Sequence, residues 1–299
     1  MLFLRLLWQI PAGLCLVLVA LLFINEYATA RPSRRTKDIV YVTTNVSGAG
    51  TSGAERHLLD VYAPKKARSG KLPVVVFIHG GNWNSGNKNL YSFVGRRLAK
   101  QGVVAVIINY QLAPAVQVPA MANDCAQAVR WATQHIAEFG GDPNRIFVMG
   151  HSAGGGLAAL LATDDRLFSQ LGLTENPVKG AILDDAAGLD MFDYLTKMEY
   201  PNDRQYLVPY GKDPAVWRAV SPMYYVSDHT PPMLIYSGGR TYPSITSSSQ
   251  RFHQRLLNHQ VRHDYNVLPG KKHIAMVTQL FWQHNIIYQE LLRFVGASN

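Results

Sequence analysis

Beyond residue 40, short apolar runs alternate with longer stretches whose apolar residues recur every three or four positions. The short runs fall at 58–62, 74–78, 103–109, 146–149, 181–183, 233–236 and 265–268. Several are continuous, such as Val74-Val75-Val76-Phe77-Ile78, as strands covered on both faces require. Helical spacing marks 90–101, 122–139, 153–162, 247–258 and 285–295. In the second of these, Cys125, Ala128, Val129, Ala132, Ile136 and Phe139 share one face. Gly140-Gly141-Asp142-Pro143 then breaks the helix and leads into the next strand. The alternation predicts βαβ units, hence an α/β fold with a mostly parallel central sheet and helices on both faces. No repeat or low-complexity tract interrupts it, so one domain is read over 36–299.

The first thirty residues stand apart. Arg5 precedes an apolar run over 6–24, and Ala28-Thr29-Ala30 has the small-x-small form of a signal-peptidase site. Residues 1–30 are therefore expected to be an export signal cut before Arg31. The alternative is an uncut N-terminal membrane anchor, with 6–24 as the tether. The expected location is periplasmic or secreted, or anchored at the membrane.

Composition narrows the class. Of 299 residues, 47% are hydrophobic and 16% charged, which suits a packed core and argues against disorder. The formal net charge of +9 is spread along the chain; its densest cluster is Arg31, Arg34, Arg35 and Lys37. That lacks the dense basic stripe or module of a nucleic-acid binder. The two cysteines, Cys15 and Cys125, leave one thiol if the leader is removed, and no Cys/His cluster has metal-ligand spacing. No metal or organic cofactor is implied. The oligomeric state is not legible.

The chemistry sits at Ile146-Phe147-Val148-Met149-Gly150-His151-Ser152-Ala153-Gly154-Gly155. A buried strand runs into Gly-x-Ser-x-Gly and a helical pattern follows, which is the strand–turn–helix setting of a nucleophile elbow. Gly and Ser each make up about 7% of residues, so the bare five-residue pattern turns up in roughly one chain in ten of this length. The flanking strand and helix are what raise it above chance. Ser152 is the candidate nucleophile, and the Ala153 amide at the helix start is placed to face an oxyanion. A second glycine loop, His79-Gly80-Gly81-Asn82-Trp83, follows the run at 74–78. Such a loop supplies the other oxyanion donors, here the amides of Gly81 and Asn82 with Gly80 close behind. His79 is expected to shape the loop through hydrogen bonds.

These segments carry a resemblance. Ile78-His79-Gly80-Gly81-Asn82-Trp83 resembles the HGGxW signature of the carboxylesterase and hormone-sensitive-lipase-like branch of the α/β-hydrolases. Asn109-Tyr110-Gln111-Leu112-Ala113-Pro114, the helix residues Asp124, Ala128 and Trp131, Gly140-Gly141-Asp142-Pro143 and Gly150-His151-Ser152-Ala153-Gly154-Gly155 are similar to later motifs of that branch, in order. The likeness is densest over 58–160 and thins afterwards. It implies an α/β-hydrolase fold and cleavage of carboxylic esters.

In that fold the base follows the last strand. Pro269-Gly270-Lys271-Lys272-His273 lies after the run at 265–268, which makes His273 the candidate base. His263 would begin the last strand, at the wrong edge. His253, His259 and His284 fall in helical patterns, and His229 precedes the run at 233–236. The acid normally follows the penultimate strand, yet no carboxylate occurs between His229 and His263; Thr241 or Tyr242 stands near its place. Asp264 adjoins the last strand in poor geometry. Three explanations compete. The acid has moved to Asp184 or Asp185, after the run at 181–183; or a Ser–His dyad works with water or Tyr242; or the chain is an inactive relative. Asp190 reads as the N-cap of a helix from Met191. Asp60 and Asp142 read as structural, the first tying the N-terminal strands and the second fixing the loop before the elbow.

The reading is a serine esterase that works through an acyl-enzyme on a small-molecule ester. Ser152 is the nucleophile, His273 the base, Asp184 or Asp185 the acid, and Gly80, Gly81, Asn82 and Ala153 form the oxyanion hole. An amidase or formamidase, or a polysaccharide deacetylase, would use the same scaffold. A degenerate hydrolase that only binds is the rival from another class. The aromatic and Pro-rich stretch from Met191 through Tyr225 reads as a lid over the pocket or as packing over the sheet edge.

Overall fold

The computed structural model describes residues 33–42, 55–65 and 70–296. The leader or anchor read at 1–30 lies outside the described residues. Eight strands form one sheet: β1 (Ser33–Val40), β2 (Leu58–Pro64), β3 (Leu72–Ile78), β4 (Val104–Ile108), β5 (Gly141–His151), β6 (Val178–Asp184), β7 (Met233–Gly238) and β8 (His263–Leu268). Their order is β1-β2-β4-β3-β5-β6-β7-β8. β2 runs antiparallel to β1 and β4, and the remaining neighbours are parallel.

The apolar run in β3 is continuous because its two faces serve two cores. Val74, Val76 and Ile78 pack on one side, under α2 (Val118–His135) and α3 (Ala153–Thr163). Val75 and Phe77 pack on the other, under α1 (Ser92–Lys100) and α8 (Ile286–Phe294). Every residue of α3 is buried, which explains its all-small or apolar sequence. Helix α2 starts earlier than its apolar spacing suggests, because Pro119 is tolerated in the first turn. Four further helices bear on the site: α4 (Met191–Lys197), α5 (Pro214–Ala219), α6 (Pro243–Asn258) and α7 (His273–Thr278). Among the described residues, no helix is long and apolar enough to cross a membrane.

Strand β1 has no apolar signature and straddles the boundary read at residue 36. A buried charge network holds it to the sheet. Asp60, fully buried, accepts from Arg35 Nε at 2.9 Å, from Lys88 Nζ at 2.8 Å and from the Asp38 amide at 3.0 Å. Burial works to raise the Asp60 carboxyl, but Lys88, the Asp38 amide and Arg35 outweigh it and hold the group below the usual carboxylate range. Lys88 is itself 1% exposed. Asp60→Ala would leave that ammonium with Asp38 alone, so the variant is expected to lose about 3–5 kcal/mol of stability. Urea unfolding checks this; a loss under about 1 kcal/mol would show that the network ties nothing.

Candidate active site

The carboxyl ends of the parallel strands gather the loops that carry chemistry, as open α/β sheets do. At the end of β5, Ser152 sits at φ 55° and ψ −124°, a conformation few side-chain-bearing residues adopt. Backbone contacts fix it there. Its amide donates to Asp184 C=O at 3.1 Å, and its carbonyl accepts from Gly155 and Ala187 at 2.9 and 3.0 Å. The flanking glycines are required by close approach: a Cβ on Gly150 would stand 2.1 Å from Gly154 O, and one on Gly154 would stand 2.1 Å from Ile78 O. The elbow is thereby pressed against the end of β3 and its glycine loop.

Ser152 Oγ lies 2.8 Å from His273 Nε2, and His273 Nδ1 lies 2.6 Å from Asp185 Oδ2. His273 was expected in a loop; it is instead the first residue of α7, which anchors its backbone. The two adjacent aspartates part ways. Asp184 ends β6, paired with His151 and Tyr236, and the alternation of the strand turns it into the layer beneath the sheet. Neither of its oxygens has a partner among the described residues, and Asp184 does not meet His273. Burial, with the neighbouring Asp185 charge, pushes its carboxyl well above the usual range. Asp185 turns out of the strand at φ 50°. Its Oδ1 accepts from the Gly238 amide at 2.8 Å, and its Oδ2 accepts from Thr241 as well as His273. The carboxylate absent from the loop after β7 thus reaches the same space from the end of β6. The part played by Gly238 and Thr241 was not readable, since nothing local marks a side chain that bonds a residue 56 positions away.

The glycine loop sits beside the nucleophile. Gly81 (φ 129°), Asn82 (φ 51°) and Trp83 (φ 60°) all hold left-handed backbone. Among the described residues, no acceptor takes the amides of Gly81 and Asn82, and both residues line the cavity with Ser152. Ala153, the fourth donor candidate with Gly80, opens α3. Gly80 packs against the elbow, where a Cβ would lie 2.8 Å from His151 O. His79 has the loop-shaping place expected of it: Nδ1 donates to Gly80 C=O at 2.8 Å, its own C=O accepts from Tyr110 at 2.8 Å, and its ring stacks on Tyr110. Asp190 caps α4 through the Asp193 amide at 3.1 Å, and Asp142 accepts from the Asn144 amide at 3.0 Å in the run-up to the elbow.

A cavity of about 740 Å³ opens over Ser152 and His273. The segment from Met191 to Tyr225 folds as short helices over the sheet edge and supplies one wall, including Tyr194, Tyr200 and Tyr206. Arg251 of α6 ties that wall down, with Asp190 at 3.2 Å and Asp193 at 2.5 Å. Among the described residues, no group of three or more His, Cys, Asp or Glu stands ready to hold a metal ion.

Two buried histidines link the site to pH. Burial pushes His79 down to about 4. Burial, then the His273 charge, pushes His151 down to about 4, and its Nε2 donates to His273 C=O at 3.2 Å. Both are neutral in the folded chain, while an unfolded histidine titrates near ~6.5. Their stabilisation is present above about 6.5 and is lost as pH falls toward about 4. Between pH 7 and pH 4.5 the urea midpoint of the wild-type chain should lose ground against that of His151→Asn. An identical slope in the variant would mean that His151 is not buried neutral.

The BD-FAE family model matches residues 59–256, about two thirds of the chain. A probable isoprenylcysteine alpha-carbonyl methylesterase of Oryza sativa subsp. japonica is 29% identical over 248 residues, covering 76% of this chain and 56% of the rice protein. The esterase LipC of Mycobacterium tuberculosis is 32% identical over 228 residues, covering 72% of this chain and 56% of its own. The chain therefore spans a little over half the length of these relatives. Esterase B from Lactobacillus rhamnosis superposes with a TM-score of 0.75 over 97% of this chain and 96% of its own, at 22% identity, which shows the shared fold. With the family model spanning most of the sheet and the elbow, the chain belongs to the BD-FAE family, among the carboxylesterase-like α/β-hydrolases.

Proposed function

We propose that this protein is a serine esterase that cleaves carboxylic esters through an acyl-enzyme. The observation that carries the reading is the unbroken line from Ser152 Oγ to His273 Nε2 at 2.8 Å and from His273 Nδ1 to Asp185 Oδ2 at 2.6 Å. A hydroxyl is a poor nucleophile until a base takes its proton, and a neutral imidazole needs its far N–H held to present the correct lone pair. Here Asp185 holds Nδ1–H, so Nε2 accepts from Ser152. Ser152 attacks the ester carbonyl as His273 takes the proton. The amides of Gly81, Asn82 and Ala153, with Gly80 behind, receive the negative oxygen. The C–O bond breaks, His273 returns the proton to the leaving alcohol, and a water activated by the same ring releases the acid.

The rival of a degenerate binding protein loses its motive, because its premise was a missing carboxylate and Asp185 stands in that place. The acyl or alcohol part would lie along the tyrosines of the wall from Met191 to Tyr225, so that wall is the candidate for selecting chain length. The test is hydrolysis of p-nitrophenyl acetate, butyrate and octanoate, with a fluorophosphonate probe followed by peptide mapping. Turnover on at least one ester with the probe on Ser152 supports the reading. A folded protein that neither turns over nor labels sinks it.

A further inference from the structure

The turn that follows β7 bonds both to the acid and to the segment that carries the base. Gly238-Gly239-Arg240-Thr241 closes with the Thr241 amide donating to Gly238 C=O at 3.1 Å. Its two ends grip Asp185: the Gly238 amide donates to Oδ1 at 2.8 Å, and the Thr241 hydroxyl donates to Oδ2, the oxygen that also takes His273 Nδ1–H. Its middle grips the segment that carries the base. Gly239 N–H donates to Leu268 C=O at 2.8 Å, and Arg240 N–H donates to Lys271 C=O at 2.9 Å, two residues before His273. The fit is tight, since a Cβ on Gly238 would stand 2.6 Å from Lys271 O.

A carboxylate can rotate about its terminal torsion, which is broad and soft. Asp185 is fully buried and its backbone is in a left-handed turn, so only side-chain contacts choose which oxygen faces the imidazole. Gly238 fixes one oxygen and Thr241 orients the other. The Thr241 hydroxyl also draws on the charge that Oδ2 offers to His273, because a hydrogen bond to the charged form stabilises it. We propose, on the esterase reading above, that Thr241 is a positioning residue: its hydroxyl holds the Asp185 carboxylate toward His273.

Two consequences separate this from a packing role. Thr241→Val keeps the shape and removes the hydroxyl. It should lower kcat about tenfold with KM within about twofold, because the carboxylate is no longer held at the angle the imidazole needs while the substrate cavity is untouched. Thr241→Ser restores the hydroxyl and should return kcat to within about threefold of wild type. The second consequence is coupling. In an Asp185→Asn background, Thr241→Val should cost less than about twofold, since its partner's charge is gone. The measurement is a full kinetic cycle of the four proteins on one p-nitrophenyl ester, with Thr241→Ser beside them. Equal losses in both backgrounds, a loss carried by KM rather than kcat, or failure of serine to restore kcat would overturn the proposal. If Thr241→Val does not fold, Thr241→Ser and Thr241→Ala in the two backgrounds give the same coupling. The esterase reading itself fails separately, on Ser152→Ala retaining activity; a silent Thr241→Val with Ser152 and Asp185 both required sinks only the positioning role.

Discussion

Ser152→Ala should lower kcat for ester hydrolysis by about 10⁴- to 10⁶-fold, with KM within about threefold. The loss is large because every later part of the site acts on what Ser152 starts. Without the hydroxyl, His273 Nε2 has no proton to take at 2.8 Å, and the oxyanion donors have no covalent intermediate to hold. Binding in the 740 Å³ cavity does not depend on that one oxygen, which is why KM is spared. The backbone gives a second readout. Ser152 is held at φ 55°, so alanine keeps the strain and glycine relieves it. Ser152→Gly should therefore be as inactive as Ser152→Ala and more stable, by about 1 kcal/mol in urea unfolding. Activity that survives in both variants would mean that another group attacks the ester. Equal stability of the two would mean that the elbow stores no strain.

What the sequence reveals of this site follows from how local each feature is. The elbow and the glycine loop are written in consecutive residues, because each is a tight run of small residues: Gly150 answers Gly154 within the elbow turn, and Gly154 and Gly80 let the elbow and the loop press together. The buried strands β3 to β7 are legible because both faces need apolar side chains. Strand β1 is not, because Ser33–Val40 is a polar edge held by Arg35 and Asp60 rather than by burial. His273 is legible from its order in the chain, while the start of α7 at that residue is not. Asp184 and Asp185 cannot be told apart by spacing. Their roles depend on where β6 ends and on which residue takes the left-handed turn, and a shift of one position exchanges the faces. Thr241 is the least legible, since its partner follows a different strand, 56 residues away.

Asp185→Asn should lower kcat about 10⁴-fold, whereas Asp184→Asn should leave it within about threefold. An amide at 185 keeps the size of the side chain but no longer requires a proton on Nδ1 of His273. The ring then loses the tautomer that offers Nε2 to Ser152, and the imidazolium formed in the reaction loses its counter-charge. Asp184 faces the other layer, fully buried, with no contact to the base. Its replacement should appear in stability and not in catalysis. Burial and the Asp185 charge hold the Asp184 carboxyl well above the usual range, so the folded chain keeps a proton that an unfolded aspartate gives up near ~3.9. A raised carboxyl contributes stability below about 3.9 that is lost as pH rises toward its folded value. Asp184→Asn removes that loss, so it should gain on wild type in urea midpoint as pH climbs above about 4. Steady-state kinetics and unfolding on the two single variants decide the matter. If Asp184→Asn proves the inactive one, Asp185 is not the acid that serves His273. If both variants stay active, catalysis runs on the Ser152–His273 pair and Asp185 only packs the loop.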